Sequence, residues 1–155
     1  MKRIISIFLV TLLLCTTFAI SANAEGLENI TIEYLDNGDY IITYFDDDYI
    51  YPDDGSKTTV TKTKTSKYKN SAGETMWYIK VQGTFSYNGS TCTCTKAAHQ
   101  AAAPGTTWSI ISASHSKSGN HATATATARH DFGGGIHSDY TRSVTLTCSP
   151  TGVFS

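Results

Sequence analysis

The stretch Thr75–Tyr87, TMWYIKVQGTFSY, alternates apolar and polar side chains and decides the fold class. Successive side chains of a strand point to opposite faces. Trp77, Ile79, Val81, Phe85 and Tyr87 therefore share one face, predicted to be the inner one. Met76, Tyr78, Lys80, Gln82, Thr84 and Ser86 share the other. Gly83 falls on the inner face, where a missing side chain marks a bulge or a close contact.

The neighbouring sequence has the same character. Asn88-Gly89 turns the chain into Ser90–Ala97, where Cys92 and Cys94 lie in phase. Trp108 and Ile110 share a face of a predicted strand over 106–115. His121–His130 alternates alanine with threonine, and Ala122, Ala124, Ala126 and Ala128 would permit close approach of a second sheet. Tyr140, Val144, Leu146 and Cys148 share a face of the last strand, with Arg142 in the same phase. His99–Gly105 is alanine-rich and reads as a helical turn or a loop, and Asp131–Gly135 as a glycine-rich loop. Lys57–Tyr68 alternates threonine with lysine and reads as an edge strand, where lysines discourage edge-to-edge pairing. Upstream, Ile30–Leu35 and Tyr40–Phe45 flank Asp36-Asn37-Gly38-Asp39 as a hairpin. Asp46–Gly55 reads as a linker. Short strands with regular turn signals predict an all-β, antiparallel sandwich or barrel, of which the sandwich is the leading expectation.

The first 24 residues read as a signal peptide. Lys2 and Arg3 precede the apolar run Ile4–Ile20, and Ala22-Asn23-Ala24 is a small-x-small cleavage site. The mature chain is expected to start at Glu25 and to be secreted. The apolar run is shorter than the roughly 18 residues of a membrane span, and no anchor is expected after cleavage. Three units follow: signal peptide 1–24, acidic segment with hairpin 25–56, and β-sandwich domain 57–155. The acidic segment holds ten acidic residues and no basic one between Glu25 and Asp54. From Gly55 onward there are ten basic and three acidic residues. This asymmetry has two readings. The acidic segment lies against the basic body, or it is displaced to expose that body to an anionic partner.

Cleavage removes Cys15 and leaves Cys92, Cys94 and Cys148, an odd number. A Cys94–Cys148 or Cys92–Cys148 bond is expected outside the cell, stabilising by about 4 kcal/mol. Cys92–Cys94 is a poor pair, because both point to one face of a strand. The order Cys94, Trp108, Cys148 matches an immunoglobulin pin, in which a disulfide between sheets packs on a tryptophan. Leu146 stands where that fold has its corner tyrosine. The reading is therefore immunoglobulin-like in architecture only.

Tyr68, Asn70, Gly73, Trp77, Gly83-Thr84-Phe85, Tyr87-Asn88-Gly89, Cys94, Trp108, Leu146-Thr147-Cys148-Ser149 and Gly152 also carry a resemblance. Over Lys57–Ser155 the chain resembles small secreted β-rich proteins of Gram-positive anaerobes, grouped as a domain of unknown function. The resemblance implies secretion, a β fold and a shared cysteine pair at Cys94 and Cys148. Cys92 is then the departure and the free thiol. The resemblance implies no activity.

No catalytic constellation stands out. There is no G-x-S-x-G elbow and no C-x-x-C pair. Cys92 is a weak nucleophile candidate, because its phase points it into the core. His99, His115, His121, His130 and His137 lack tight ligand spacing. His115 and His121 could face each other across the 116–120 turn, but no third ligand is evident. Asp46, Asp47, Asp48, Asp53 and Asp54 do not fit a calcium loop. Tyr34, Tyr40, Tyr44, Tyr49 and Tyr51 sit among these aspartates. That mixture suits sugar stacking and hydrogen bonding, although tyrosine is also an ordinary strand residue. The threonine arrays at 59–65 and 123–127 are ordinary exposed-strand positions more readily than an ice-binding ladder.

The leading expectation is thus a secreted, non-enzymatic binding or surface-associated protein, with a cell-wall polymer, a glycan or a protein as partner. The alternative is an antimicrobial or toxin-like protein whose acidic segment masks a basic body. No cofactor, metal or nucleic acid is expected.

Overall fold

The structure is a computed structural model that describes residues 30–46, 49–51 and 58–155. The expected signal peptide and most of the expected linker lie outside these residues. The described residues form nine strands: β1 Thr31–Tyr34, β2 Tyr40–Phe45, β3 Tyr49–Tyr51, β4 Thr58–Lys69, β5 Thr75–Tyr87, β6 Cys92–Ala102, β7 Trp108–Ser118, β8 His121–Gly133 and β9 Ile136–Thr147. All pairings are antiparallel. One sheet runs β1-β2-β4-β5-β6, with β3 also on β4, and the second runs β7-β8-β9.

Period two places the core where the central strand requires it. Trp77, Ile79, Val81 and Phe85 are buried on the inner face of β5. Ala122, Ala124, Ala126 and Ala128 face them from β8, each fully buried. Four alanines in a row let the sheets approach closely, and Gly83 is the matching concession on β5. A Cβ there would lie 2.4 Å from Phe85 Cε2 and 3.0 Å from Ala122 Cβ. The glycine is therefore a site of close contact.

Three local expectations need correction. β4 is not an edge strand: it is hydrogen-bonded to β2 and β3 on one side and to β5 on the other. The N-terminal hairpin takes the edge, so the lysines of β4 guard nothing. Instead, Lys64 Nζ lies 5.1 Å from the centre of the Phe45 ring, and Lys62 Nζ lies 5.4 Å from that of Phe154. Next, β6 continues through the alanine-rich segment to Ala102, where a helical turn or loop was expected. Pairing of Ala97–Ala102 with Gly83–Tyr78 satisfies its backbone, and that outweighs alanine's helical preference. Finally, β8 runs on to Gly133, so the glycine loop shrinks to a tight turn.

Apart from β3, which pairs with β4 alongside β2, each strand within a sheet pairs with the next in sequence, and among the described residues the chain passes between the sheets only at β6–β7. The immunoglobulin fold uses Greek-key connections instead, so the likeness stops at two packed antiparallel sheets. The C-terminal residues fold back, with reciprocal backbone bonds between Thr147 and Ser155 of 2.9 and 3.0 Å. This return brings Phe154 edge-on to Phe85, ring centres 5.3 Å apart.

Candidate functional site

The side chains that do not enter the core build a second surface. Opposite residues in a ladder project to the same side, so the registers of β1, β2, β4 and β5 define transverse rows on the outer face of the larger sheet. One row is Ile32, Ile42, Lys67 and Tyr78; another is Tyr44, Thr65 and Lys80; Tyr34 and Tyr40 pair in a third. Four tyrosines therefore share one solvent-facing side, from three strands. Tyr34 is 77 % exposed and Ile32 47 %, while Tyr40, Tyr44 and Tyr78 are half-buried.

Neighbours hold these rings in place. Tyr34 and Tyr40 lie 6.0 Å apart, and Lys67 Nζ sits 5.2 Å from the centre of the Tyr44 ring. Asp46 is the polar hub: Oδ1 accepts from Thr65 Oγ1 at 3.0 Å, and Oδ2 accepts from Lys80 Nζ at 2.9 Å. The hydrogen bond to Asp46 raises the Lys80 ammonium above its ordinary pKa, against the opposing effect of burial. Beside Lys80 a shallow depression of about 150 Å³ is lined by Thr63, Lys80, Gln82, Ala98, His99 and Gln100. Rigid aromatic surface next to an amide- and ammonium-lined hollow suits a polyhydroxylated ligand, which presents C–H faces and hydroxyls together.

The sequence marks Tyr34, Tyr40, Tyr44 and Asp46 as candidates but misses Tyr78, which joins them only through the β4–β5 register. Tyr49 and Tyr51 lie in β3, with side chains outside the described residues. Asp47, Asp48, Asp53 and Asp54 are likewise outside them.

The cysteines gather at one end of the core. Cys94 and Cys148 are buried and Cys92 is half-buried, and all three are free thiols. The expected Cys94–Cys148 bond is not formed. Cys148 Sγ donates to the Ser149 carbonyl at 3.2 Å, and burial foremost, followed by interaction with Cys92, pushes its thiol pKa up to about 12. Burial likewise raises Cys94, whose Sγ donates to the Lys96 carbonyl at 3.3 Å. Protonated, enclosed thiols are poor nucleophiles. The Gly119–Asn120 turn clamps the group: Cys94 N donates to Gly119 O at 2.8 Å and Cys148 N to Asn120 O at 3.1 Å.

The structure does not set His115 and His121 facing each other across the turn. The β7–β8 register sets His115 opposite Ala124 and His121 opposite Ser118. The turn is centred on Gly119–Asn120 rather than on Ser118, which shifts the pairing. His121 Nδ1 meets Thr147 Oγ1 at 3.0 Å, and His130 stacks on Trp108 at 4.3 Å. His115 meets His99 instead, Nδ1 to Nδ1 at 2.7 Å. Among the described residues no group of three or more His, Cys, Asp or Glu could hold a metal. The second threonine array is bonded to its neighbours: Thr123 to Thr145, Thr125 to Ser143 and Thr127 to Thr141 at 2.7–2.9 Å.

Comparison with protein-family models, with curated proteins and with solved structures finds no match to this chain.

Proposed function

We propose that the chain is an exported, non-enzymatic binding protein whose tyrosine face takes a glycan or a cell-wall polymer. The observation that carries this reading is the placing of Tyr34, Tyr40, Tyr44 and Tyr78 on one solvent-facing side of a sheet. Core packing does not require them there. A flat aromatic face can receive successive units of an extended chain, while Asp46, Lys80, Gln82 and Gln100 supply hydrogen bonds. Export to a Gram-positive surface is part of the proposal, as the signal-like N-terminus suggests.

In that oxidising setting the proposal has one disulfide, Cys148 to Cys92, the half-buried and more accessible thiol of the group. Cys94 then stays as the buried thiol.

The test is co-sedimentation of the purified mature protein with insoluble peptidoglycan and with wall polysaccharide. Wild type is expected to sediment, and a Tyr34→Ala/Tyr44→Ala variant to remain in solution. Equal sedimentation of both, or of neither, removes the reading.

A second reading has its own support. Two acidic-segment residues pair with body cations, Glu33 with Arg142 at 2.9 Å and Asp46 with Lys80 at 2.9 Å. That is the contact a masking segment would make over a toxin-like body. Against it, β2 shares six register positions with β4, so removal would strip a strand from the sheet. A secreted species starting near Gly55 favours masking; one starting at Glu25 favours the binding reading.

A further inference from the structure

We propose that His99 and His115 form a binding site for one divalent transition-metal ion, Cu2+ in the first place, bridging the open seam between the two sheets. The proposal does not rest on the tyrosine-face reading, although His99 also edges the hollow beside Lys80. β6 is the last strand of the larger sheet and β7 the first of the smaller, so their edges run side by side. A backbone bond ties β6 to the turn that follows β7, where Cys94 N meets Gly119 O at 2.8 Å. Farther along the seam, His99 and His115 supply a side-chain link.

Their placement follows from register. His99 lies opposite Val81 and His115 opposite Ala124. Both partners are fully buried, so each ring starts from an inner face and leans toward the seam. The Nδ1 atoms stand 2.7 Å apart, with ring centres at 4.9 Å and planes 42° apart. A contact that short requires one Nδ1 to carry the proton and the other to present a lone pair. One Nδ1 lone pair thus already faces the space between the rings, and a turn of both rings would bring the two lone pairs onto an ion beside the Nδ1–Nδ1 line.

The spacing selects among ions. Two metal–nitrogen bonds of about 2.0–2.1 Å place their nitrogens about 2.9 Å apart at a right angle and about 3.4 Å apart at a tetrahedral angle. The observed separation needs only a small opening for a right-angled arrangement and a larger one for tetrahedral zinc. Tetragonal nitrogen and oxygen coordination is the preference of Cu2+ and Ni2+, and Cu2+ binds more tightly. His115 is exposed, so water completes the shell. When the ion enters, the donating ring moves its proton from Nδ1 to its own Nε2, the ion takes both Nδ1 lone pairs, and no electron is transferred. The nearby cation does not oppose it, since Lys117 Nζ is turned to the Cys94 carbonyl at 3.5 Å.

The test is titration of the full-length mature protein with Cu2+ and Ni2+, followed by calorimetry and, for Cu2+, by electron paramagnetic resonance. One ion per chain is expected, with splitting from two imidazole nitrogens. His115→Gln is expected to lose at least tenfold in affinity and one nitrogen from the spectrum, while His121→Gln binds as wild type does. Because His115 is exposed, its variant should keep the apo melting temperature, which keeps the test sound if His99→Gln fails to fold. A wild-type spectrum without two nitrogens, or a His115→Gln variant that binds as well as wild type, overturns the proposal.

Discussion

The Tyr68 hydroxyl donates to Asp39 Oδ2 at 2.7 Å and ties the turn of the N-terminal hairpin to the buried end of β4. The same Asp39 accepts from Ser71 N through Oδ1 at 3.0 Å. One carboxylate thus holds two turns. The Tyr68 ring packs on Trp108 and Tyr140 at 5.2 and 5.8 Å, so its two ends serve different layers.

Stability is expected to fall in alkali because of this tyrosine. Burial and then the Asp39 hydrogen bond raise the Tyr68 pKa from 10.0 to about 12. The folded state therefore holds the phenol proton more tightly than the unfolded chain does. Its contribution is complete below pH 10 and is lost as pH rises toward 12. Tyr68→Phe keeps the ring contacts and should cost about 1 kcal/mol near neutrality, while flattening the alkaline decline. Urea unfolding of both proteins at pH 7 to 12 measures this. Parallel curves would exclude Tyr68 as the source.

Gly83 should not tolerate a methyl group. An added Cβ would meet the Phe85 ring of its own strand and Ala122 of the facing sheet, all buried, so Gly83→Ala is expected to cost about 1–3 kcal/mol through overpacking. A lowered urea midpoint with an unchanged slope is the expected result. An unchanged midpoint would mean that the sheets separate freely.

Tyr34 and Tyr44 should separate binding from folding. Tyr34 is exposed, and its replacement by alanine should change stability by no more than about 0.5 kcal/mol. Tyr44→Ala removes a half-buried outer-face ring and its contact with Lys67, away from the apolar core between the sheets. Polymer binding should drop at least tenfold for the double variant while its melting curve stays close to that of wild type. A matching loss of melting temperature and binding would mark these rings as structural.

Oxidation should join Cys92 to Cys148. With an oxidised low-molecular-weight disulfide, the two protein thiols give up two electrons and two protons, and the reagent leaves as two thiols. The half-buried Cys92 is the reachable partner. Peptide mapping should find the Cys92–Cys148 linkage with Cys94 unmodified, and the chain-entropy account gives about 4 kcal/mol of stabilisation. A Cys94–Cys148 peptide would restore the pairing implied by the family resemblance.

Much of the fold could be read from local pattern. The β5 alternation, the Asn37-Gly38 hairpin and the alanine spacing of β8 all state their faces within a few residues. What could not be read depends on partners distant in sequence. β4 looks like an edge because its sequence is polar, and only the upstream hairpin makes it interior. The alanines of β6 lack a period that distinguishes strand from helix until β5 pairs with them. For the site, Tyr34, Tyr40 and Tyr44 are visible as a cluster, whereas Tyr78 and the His99–His115 contact arise from registers across strands and across sheets.

The sequential strand order also sets an order of assembly. Among the described residues the strand-to-strand pairings of the larger sheet all lie within Thr31–Ala102, and those of the smaller sheet within Trp108–Thr147. A chain made from its N-terminus can therefore complete the first sheet before the second exists. Until β8 arrives, Ile79, Val81 and Phe85 stand uncovered as a sticky apolar surface, the kind of intermediate that associates with its own copies. The alanine strand is thus more than a close-fitting layer: its arrival ends the period in which a half-made molecule is at risk of aggregation.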